Sequence, residues 1–128
     1  MKERTILVIE DNEMNMKLMR AILELGRYRM LEAMDAETGL NLARKNPPDL
    51  ILMDIQLPGM DGLSAMRILK ADPDLDKIPV LAMSGLAMQS DIDKAMHFGF
   101  SDYIVKPSGV QDILQTIAKF LADQQSNE

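Results

Sequence analysis

Two rhythms of apolar residues alternate along the chain. Thr5-Ile-Leu-Val-Ile9 is an unbroken apolar run of strand length, and Glu10-Asp11-Asn12 closes it. Glu13 to Leu25 carries apolar residues at helical spacing, with Met14, Leu18, Ala21, Ile22 and Leu25 on one face and Gly26 as a stop. Met16, Met19 and Leu23 form a second stripe on a roughly opposite side, part of which the last helix can cover. Arg29 to Ala33 is a more polar strand, suited to a sheet edge. Asp35 can cap a helix from Ala36 to Lys45, ended by Asn46-Pro47-Pro48. Leu50 to Met53 is a strand apolar on both faces, ending in Asp54 and a Pro/Gly-rich turn. Asp61 caps a helix through Met66 and Leu69 that stops before Pro73.

The second half repeats the alternation. Ile78 to Met83 is a strand with Pro79 at its start, where a missing donor is tolerated, and Ser84-Gly85 ends it. Gln89 to Phe98 is a short helix with Ile92, Ala95 and Met96 inward and Gly99 as its stop. Tyr103 to Val105 is the last strand and Lys106-Pro107 its end. Val110, Ile113, Leu114, Ile117 and Leu121 mark a final amphipathic helix, and Asp123 to Glu128 is a polar tail expected to fray. Five strands alternating with five helices predict an α/β fold, a doubly wound five-stranded parallel sheet. Short right-handed crossovers leave few strand orders, of which 2-1-3-4-5 is the flavodoxin-like one. Without a linker, repeat or low-complexity stretch, the chain reads as one domain over 1–128, core about 4–122, with no output domain.

In that order the first and third strands are neighbours, so Glu10, Asp11 and Asp54 converge at the switch point, where such sheets bind ligands. Ser84 and Lys106 arrive from the fourth and fifth strands. A single Asp after a strand is commonly a helix cap; polar groups on four of five strand ends need another explanation. Three carboxylates in one crevice repel, so one should have a raised pKa or the set should recruit a cation. An all-oxygen set with few protein ligands suits Mg²⁺, which shares its shell with water and phosphate. Asp54 is then a nucleophile for a phosphoryl group, with Lys106 and the Ser84 hydroxyl on the phosphoryl oxygens. Gly85 leaves room beside the incoming group.

Composition narrows the class. At 47% hydrophobic and 27% charged, the chain is neither disordered nor membrane-like. No span-length apolar run and no secretory signal occur, which together with the absence of Cys fits a cytoplasmic protein. A net charge of -6 and the lack of Trp argue against nucleic-acid binding. The twelve Met residues serve mostly as core filler, Met53 and Met83 included.

Glu10-Asp11-Asn12, Asp54 with Pro58-Gly59-Met60-Asp61-Gly62, Ser84-Gly85, Tyr103 and Lys106-Pro107 resemble, in order and spacing over nearly the whole chain, the receiver domain of two-component response regulators. The resemblance implies that Asp54 is the phosphoacceptor. It implies Mg²⁺ held by Asp11, Asp54 and the Gln56 backbone carbonyl, with Glu10 acting mostly through water. It further implies that Lys106 contacts the phosphoryl group, that the Lys106–Pro107 bond is cis, and that Ser84 and Tyr103 form a switch pair. Expected partners are a sensor histidine kinase or a histidine phosphotransfer protein and a downstream protein target; the chain is expected to act as a monomer or weak dimer. Met16, nearest the crevice, is expected to stay exposed and to dock the histidine-bearing partner. Position 84 is more often Thr in the family, 85 more often Ala, and Ser108 stands where Phe commonly follows Lys-Pro.

Two other readings compete with a stand-alone receiver that signals by protein contact. An Asp-nucleophile phosphatase or phosphotransferase of the haloacid-dehalogenase type wants a second Asp two residues on, where Gln56 cannot donate a proton. An interaction module that has lost phosphorylation would have no need of the acidic pair, Asp54 and Lys106. Nucleotide binding has no Gly-rich phosphate loop to support it.

Overall fold

The computed structural model describes residues 3–86, 88–106 and 108–125. Ten elements alternate: β1 (Thr5–Ile9), α1 (Glu13–Leu25), β2 (Arg29–Ala33), α2 (Ala36–Lys45), β3 (Leu50–Asp54), α3 (Gly62–Ala71), β4 (Val80–Ser84), α4 (Gln89–Phe98), β5 (Asp102–Val105) and α5 (Val110–Gln125). The strands form one parallel sheet in the order β2-β1-β3-β4-β5, as expected, with polar β2 at an edge. β4 begins two residues later than its apolar run, at Val80. Pro79 stays outside the strand and contributes only its carbonyl, to the Ile51 amide at 3.0 Å. The tail expected to fray from Asp123 is helical as far as Gln125, and its remainder, 126–128, lies outside the described residues. Among the described residues no helix is long and apolar enough to cross a membrane.

Strand alternation sorts the core into two layers. Ile6, Val8, Leu50, Leu52, Leu81, Met83 and Ile104 face α1 and α5, while Leu7, Ile9, Ile51, Met53, Val80 and Ala82 face the residues of α2, α3 and α4. Asn12 caps α1, its Oδ1 accepting from the Asn15 amide at 3.0 Å.

α1 sits with its second apolar stripe inward, and of the first stripe only Ile22 is buried with it. Met16, Met19, Ile22 and Leu23 are buried against Ile113, Ile117 and Leu121 of α5. Met14, Leu18 and Leu25 are 75%, 52% and 69% exposed, and Ala21 also faces outward. Met16 is fully buried, which removes it as a docking residue. The first stripe carries more apolar residues than the second, so shape overrides apolar content here: α1 must meet both the sheet and α5. Each buried side chain of this size is worth about 1.5–3 kcal/mol, enough to decide the rotation of the helix.

Two helix ends also differ in detail from their sequence reading. Gly26 is the C-cap of α1, yet its φ is -80° and the left-handed residue is Arg27 at φ 63°. Tyr28 N–H reaches back to the Leu23 carbonyl at 2.9 Å, so the closing turn runs one residue past the glycine. In α4 only Ala95 is buried; Ile92 is half-buried and Met96 is 43% exposed, against the inward placement expected of both. Gly99 closes this helix at φ 108°.

Candidate functional site

Register assembles the site. Ile9 pairs with Met53, so Glu10 lies abreast of Asp54 on the neighbouring strand. Asp54 pairs with Met83 and Ser84 with Val105, which sets Ser84 one step beyond Asp54 and Lys106 one step beyond that. Glu10, Asp54 and Lys106 continue the parity of Val8, Leu52 and Ile104, so all three emerge on the side covered by α1 and α5. Ser84 has the parity of Val80 and Ala82 and enters from the other side.

The Lys106 ammonium is the hub. Its Nζ donates to Asp54 Oδ2 at 2.9 Å and to both Glu10 oxygens, at 3.0 and 3.1 Å. Asp54 Oδ1 accepts from the Gln56 amide at 2.8 Å, so both of its oxygens are oriented. Glu10 is fully buried, Asp54 is nearly so and Lys106 is half-buried. Burial pushes the Glu10 carboxyl above its ordinary value, and the neighbouring Asp54 raises it further; Asn15 and Lys106 pull the other way. One carboxyl of the set is therefore raised as expected, with desolvation ahead of repulsion as the cause. Desolvation is also the largest influence on Lys106 and lowers it, but its bonds and charges with Asp54 and Glu10 together carry it above the ordinary lysine value.

Carboxylate oxygens of Glu10, Asp11 and Asp54 come within 4.8 Å of one another, Asp11 being exposed at the mouth. Three acids against one ammonium, all hard oxygen donors around an open position, form a set that fits a small divalent cation. Gln56 is exposed, immediately after Ile55, whose amide bonds the Met83 carbonyl at 3.1 Å.

The expected switch pair meets at one residue. Ser84 is buried and its Oγ accepts from the Leu86 amide at 3.0 Å, while the Tyr103 hydroxyl donates to the Leu86 carbonyl at 2.8 Å. Ser84 Oγ also lies 3.5 Å from Gln56 Oε1, a long contact. Among the described residues a methyl at Gly85 would meet nothing within 4 Å, so the space beside it does not depend on glycine. The cis bond expected at Lys106–Pro107 falls on Pro107, outside the described residues.

Two further residues hold the site in ways to which the sequence assigned no role. Asn15 Nδ2 donates to Glu10 Oε1 at 2.7 Å and so fixes the buried acid; its place in the first turn of α1, five residues on, was the available hint. Gly62 lets the start of α3 close on β3: a Cβ there would lie 2.8 Å from the Asp54 carbonyl oxygen and from Ile55 Cα. Its amide bonds the Ile55 carbonyl at 3.0 Å.

Residues 6–118 match the model of the response regulator receiver domain. The chain belongs to that family. It is 41% identical over 120 residues to the polar-differentiation response regulator DivK of Brucella anthropi, covering 94% of this chain and 98% of the relative. A putative response regulator from Chloroflexus aurantiacus superposes with a TM-score of 0.91 at 26% identity, over 94% of this chain and 99% of the other. The receiver domain of a sensor histidine kinase from Pseudomonas aeruginosa, solved with a magnesium ion coordinated in its active-site cleft, gives 0.88 at 29% identity, over 94% and 99%. Family membership places this receiver in two-component signalling, consistent with phosphoryl acceptance and with histidine kinases and downstream proteins as the kinds of partner such domains meet.

Proposed function

We propose that this receiver accepts a phosphoryl group on Asp54 from a phospho-histidine and passes the signal on by protein contact. The observation that carries this is the setting of Asp54: a carboxylate at the end of the central strand, both oxygens held, 2.9 Å from a lysine ammonium and beside two further acids. In the transfer, an Asp54 oxygen bonds to phosphorus as the phosphorus–nitrogen bond to the histidine breaks, and the electron pair returns to the imidazole ring. Asp11, Asp54 and the Gln56 carbonyl would hold a magnesium ion, with Glu10 acting through water. When bound, the ion supplies positive charge against the phosphoryl oxygens. Lys106, now shared between Asp54 and Glu10, can turn its ammonium to a phosphoryl oxygen.

Release of the signal follows from Leu86. If Ser84 Oγ moves to a phosphoryl oxygen, the Leu86 amide loses its acceptor, and the backbone that holds the Tyr103 hydroxyl loses one of its two anchors. The phosphorylated form favours whichever arrangement of this segment contacts the phosphoryl group better. On the partner side, the exposed Met14 and Leu18 of α1 offer the apolar surface expected of Met16.

Incubation with acetyl phosphate and Mg²⁺ is expected to add one phosphoryl group, seen by intact-protein mass, and Asp54→Asn is expected to abolish it. An adduct that survives on Asp54→Asn would sink the assignment; chelation of the metal should slow labelling of the wild type.

A further inference from the structure

Between α1 and α5, against the ends of β4 and β5, lies a cavity of about 310 Å³. Its apolar wall is Leu18, Met19, Met83, Ile104 and Ile113. At one corner Glu10, Asn15, Lys106 and Ser108 bring polar atoms to it. An apolar cavity of about 150 Å³ is enough for benzene, and ligand pockets begin at about 300 Å³ with just such a lining, mostly apolar with a few convergent polar groups. Ser108 is the smallest side chain lining this space; it is half-buried, and its Oγ turns back to donate to the Val105 carbonyl.

The corner also sets what could enter. Lys106 is already engaged by Glu10 at 3.0 Å and by Asp54 at 2.9 Å, so an anionic head group would find no free ammonium in this corner. Asn15 spends one N–H on Glu10, which leaves its second N–H and its Oδ1 open, and Ser108 Oγ keeps its lone pairs as acceptors. A single neutral donor or acceptor suffices to match them. We propose that this cavity is a binding site for a small neutral amphipathic molecule, one or two fused rings in size with one hydrogen-bonding group. Its occupant would lie against the same ammonium that holds Asp54, yet binding does not require that Asp54 be phosphorylated.

Indole is a suitable probe, because the chain contains no Trp and the fluorescence of the probe is read without background. A saturable titration is expected, with methionine-methyl NMR shifts confined to Met19 and Met83 and a matching shift at the Lys106 ε-methylene. Ser108→Phe should fill the space and weaken binding at least about tenfold, equivalent to about 1.4 kcal/mol. If that variant does not fold, Leu18→Glu at the half-exposed rim provides the same test by charging the mouth. Loss of binding in a folded variant supports the site. Failure to saturate, unchanged affinity in the folded variants, or shifts at exposed Met34 and Met88 in place of Met19 and Met83 would overturn it.

Discussion

Helices α3 and α4 are each ten residues long, lie on the same side of the sheet and follow the two strands that end in Asp54 and Ser84. They are held very differently. α3 is capped by Asp61, whose carboxylate accepts from the Ser64 amide at 2.8 Å, and it buries Gly62, Ala65, Met66 and Leu69. α4 starts at Met88, which makes no side-chain capping bond, and buries only Ala95. Met88 is 70% exposed. The helix behind Asp54 is thus clamped to its strand, while the helix behind Ser84 is held by little. Few buried apolar contacts and uncapped amides mark the low-stability end of a fold, from which moving elements are drawn. Under the function proposed above, the division would separate the part that keeps Asp54 in register from the part free to shift if Ser84 changes partner.

The sharpest way to break the clamp is Gly62→Ala. The added methyl meets backbone at 2.8 Å on two atoms, neither of which can turn aside. We expect a loss of roughly 2–3 kcal/mol in urea unfolding, together with slower acetyl phosphate labelling as the end of β3 is displaced.

Removing the cap acts less strongly. Asp61→Ala should cost about 1 kcal/mol. The Ser64 backbone N–H holds the Asp61 carboxyl below its ordinary value of 3.8. A depressed folded pKa means the unfolded state binds the proton more tightly, so the contribution is complete above about pH 4 and is lost as pH falls through the folded value. Wild type should therefore lose this increment on acidification. Asp61→Asn, which keeps an oxygen acceptor, should show a flatter profile in the same window.

The opposite change makes α4 resemble α3. Met88 already has the extended backbone of an N-cap, φ -73° and ψ 145°. Met88→Asp should add up to about 1 kcal/mol and slow amide hydrogen exchange in the first turn of α4. If exchange there is unchanged, the missing cap is not what leaves this helix loose.

Smallest of all is Gly85→Ala, the counterpart of Gly62→Ala on the other strand end. With open space around the new methyl, stability should stay within about 0.5 kcal/mol of wild type by the same urea measurement.

Most of the architecture was legible because it depends on local pattern. Apolar runs of strand length, carboxylates at helix starts and polar β2 at the edge mark the ten elements, and short crossovers leave few strand orders, among them the flavodoxin-like one observed. From that order the meeting of Glu10, Asp11, Asp54, Ser84 and Lys106 at one crevice follows, because parallel strands present all their carboxyl ends on one side. What the pattern could not fix were choices between competing local solutions. α1 carries two apolar stripes, and only packing against both the sheet and α5 buries Met16 and exposes Met14 and Leu18. Gly26 sits where a helix stop is wanted, yet Arg27 takes the left-handed turn, since Tyr28 must fold back over the helix end. The grip of Asn15 on Glu10 and the approach of Gly62 to Asp54 lie in distances between elements, which spacing along one chain does not encode. The sequence by itself determined which chemistry gathers at the sheet edge; the tertiary structure decided which faces and which small residues hold it there, because burial rewards the fit of whole surfaces and not the periodicity of one helix.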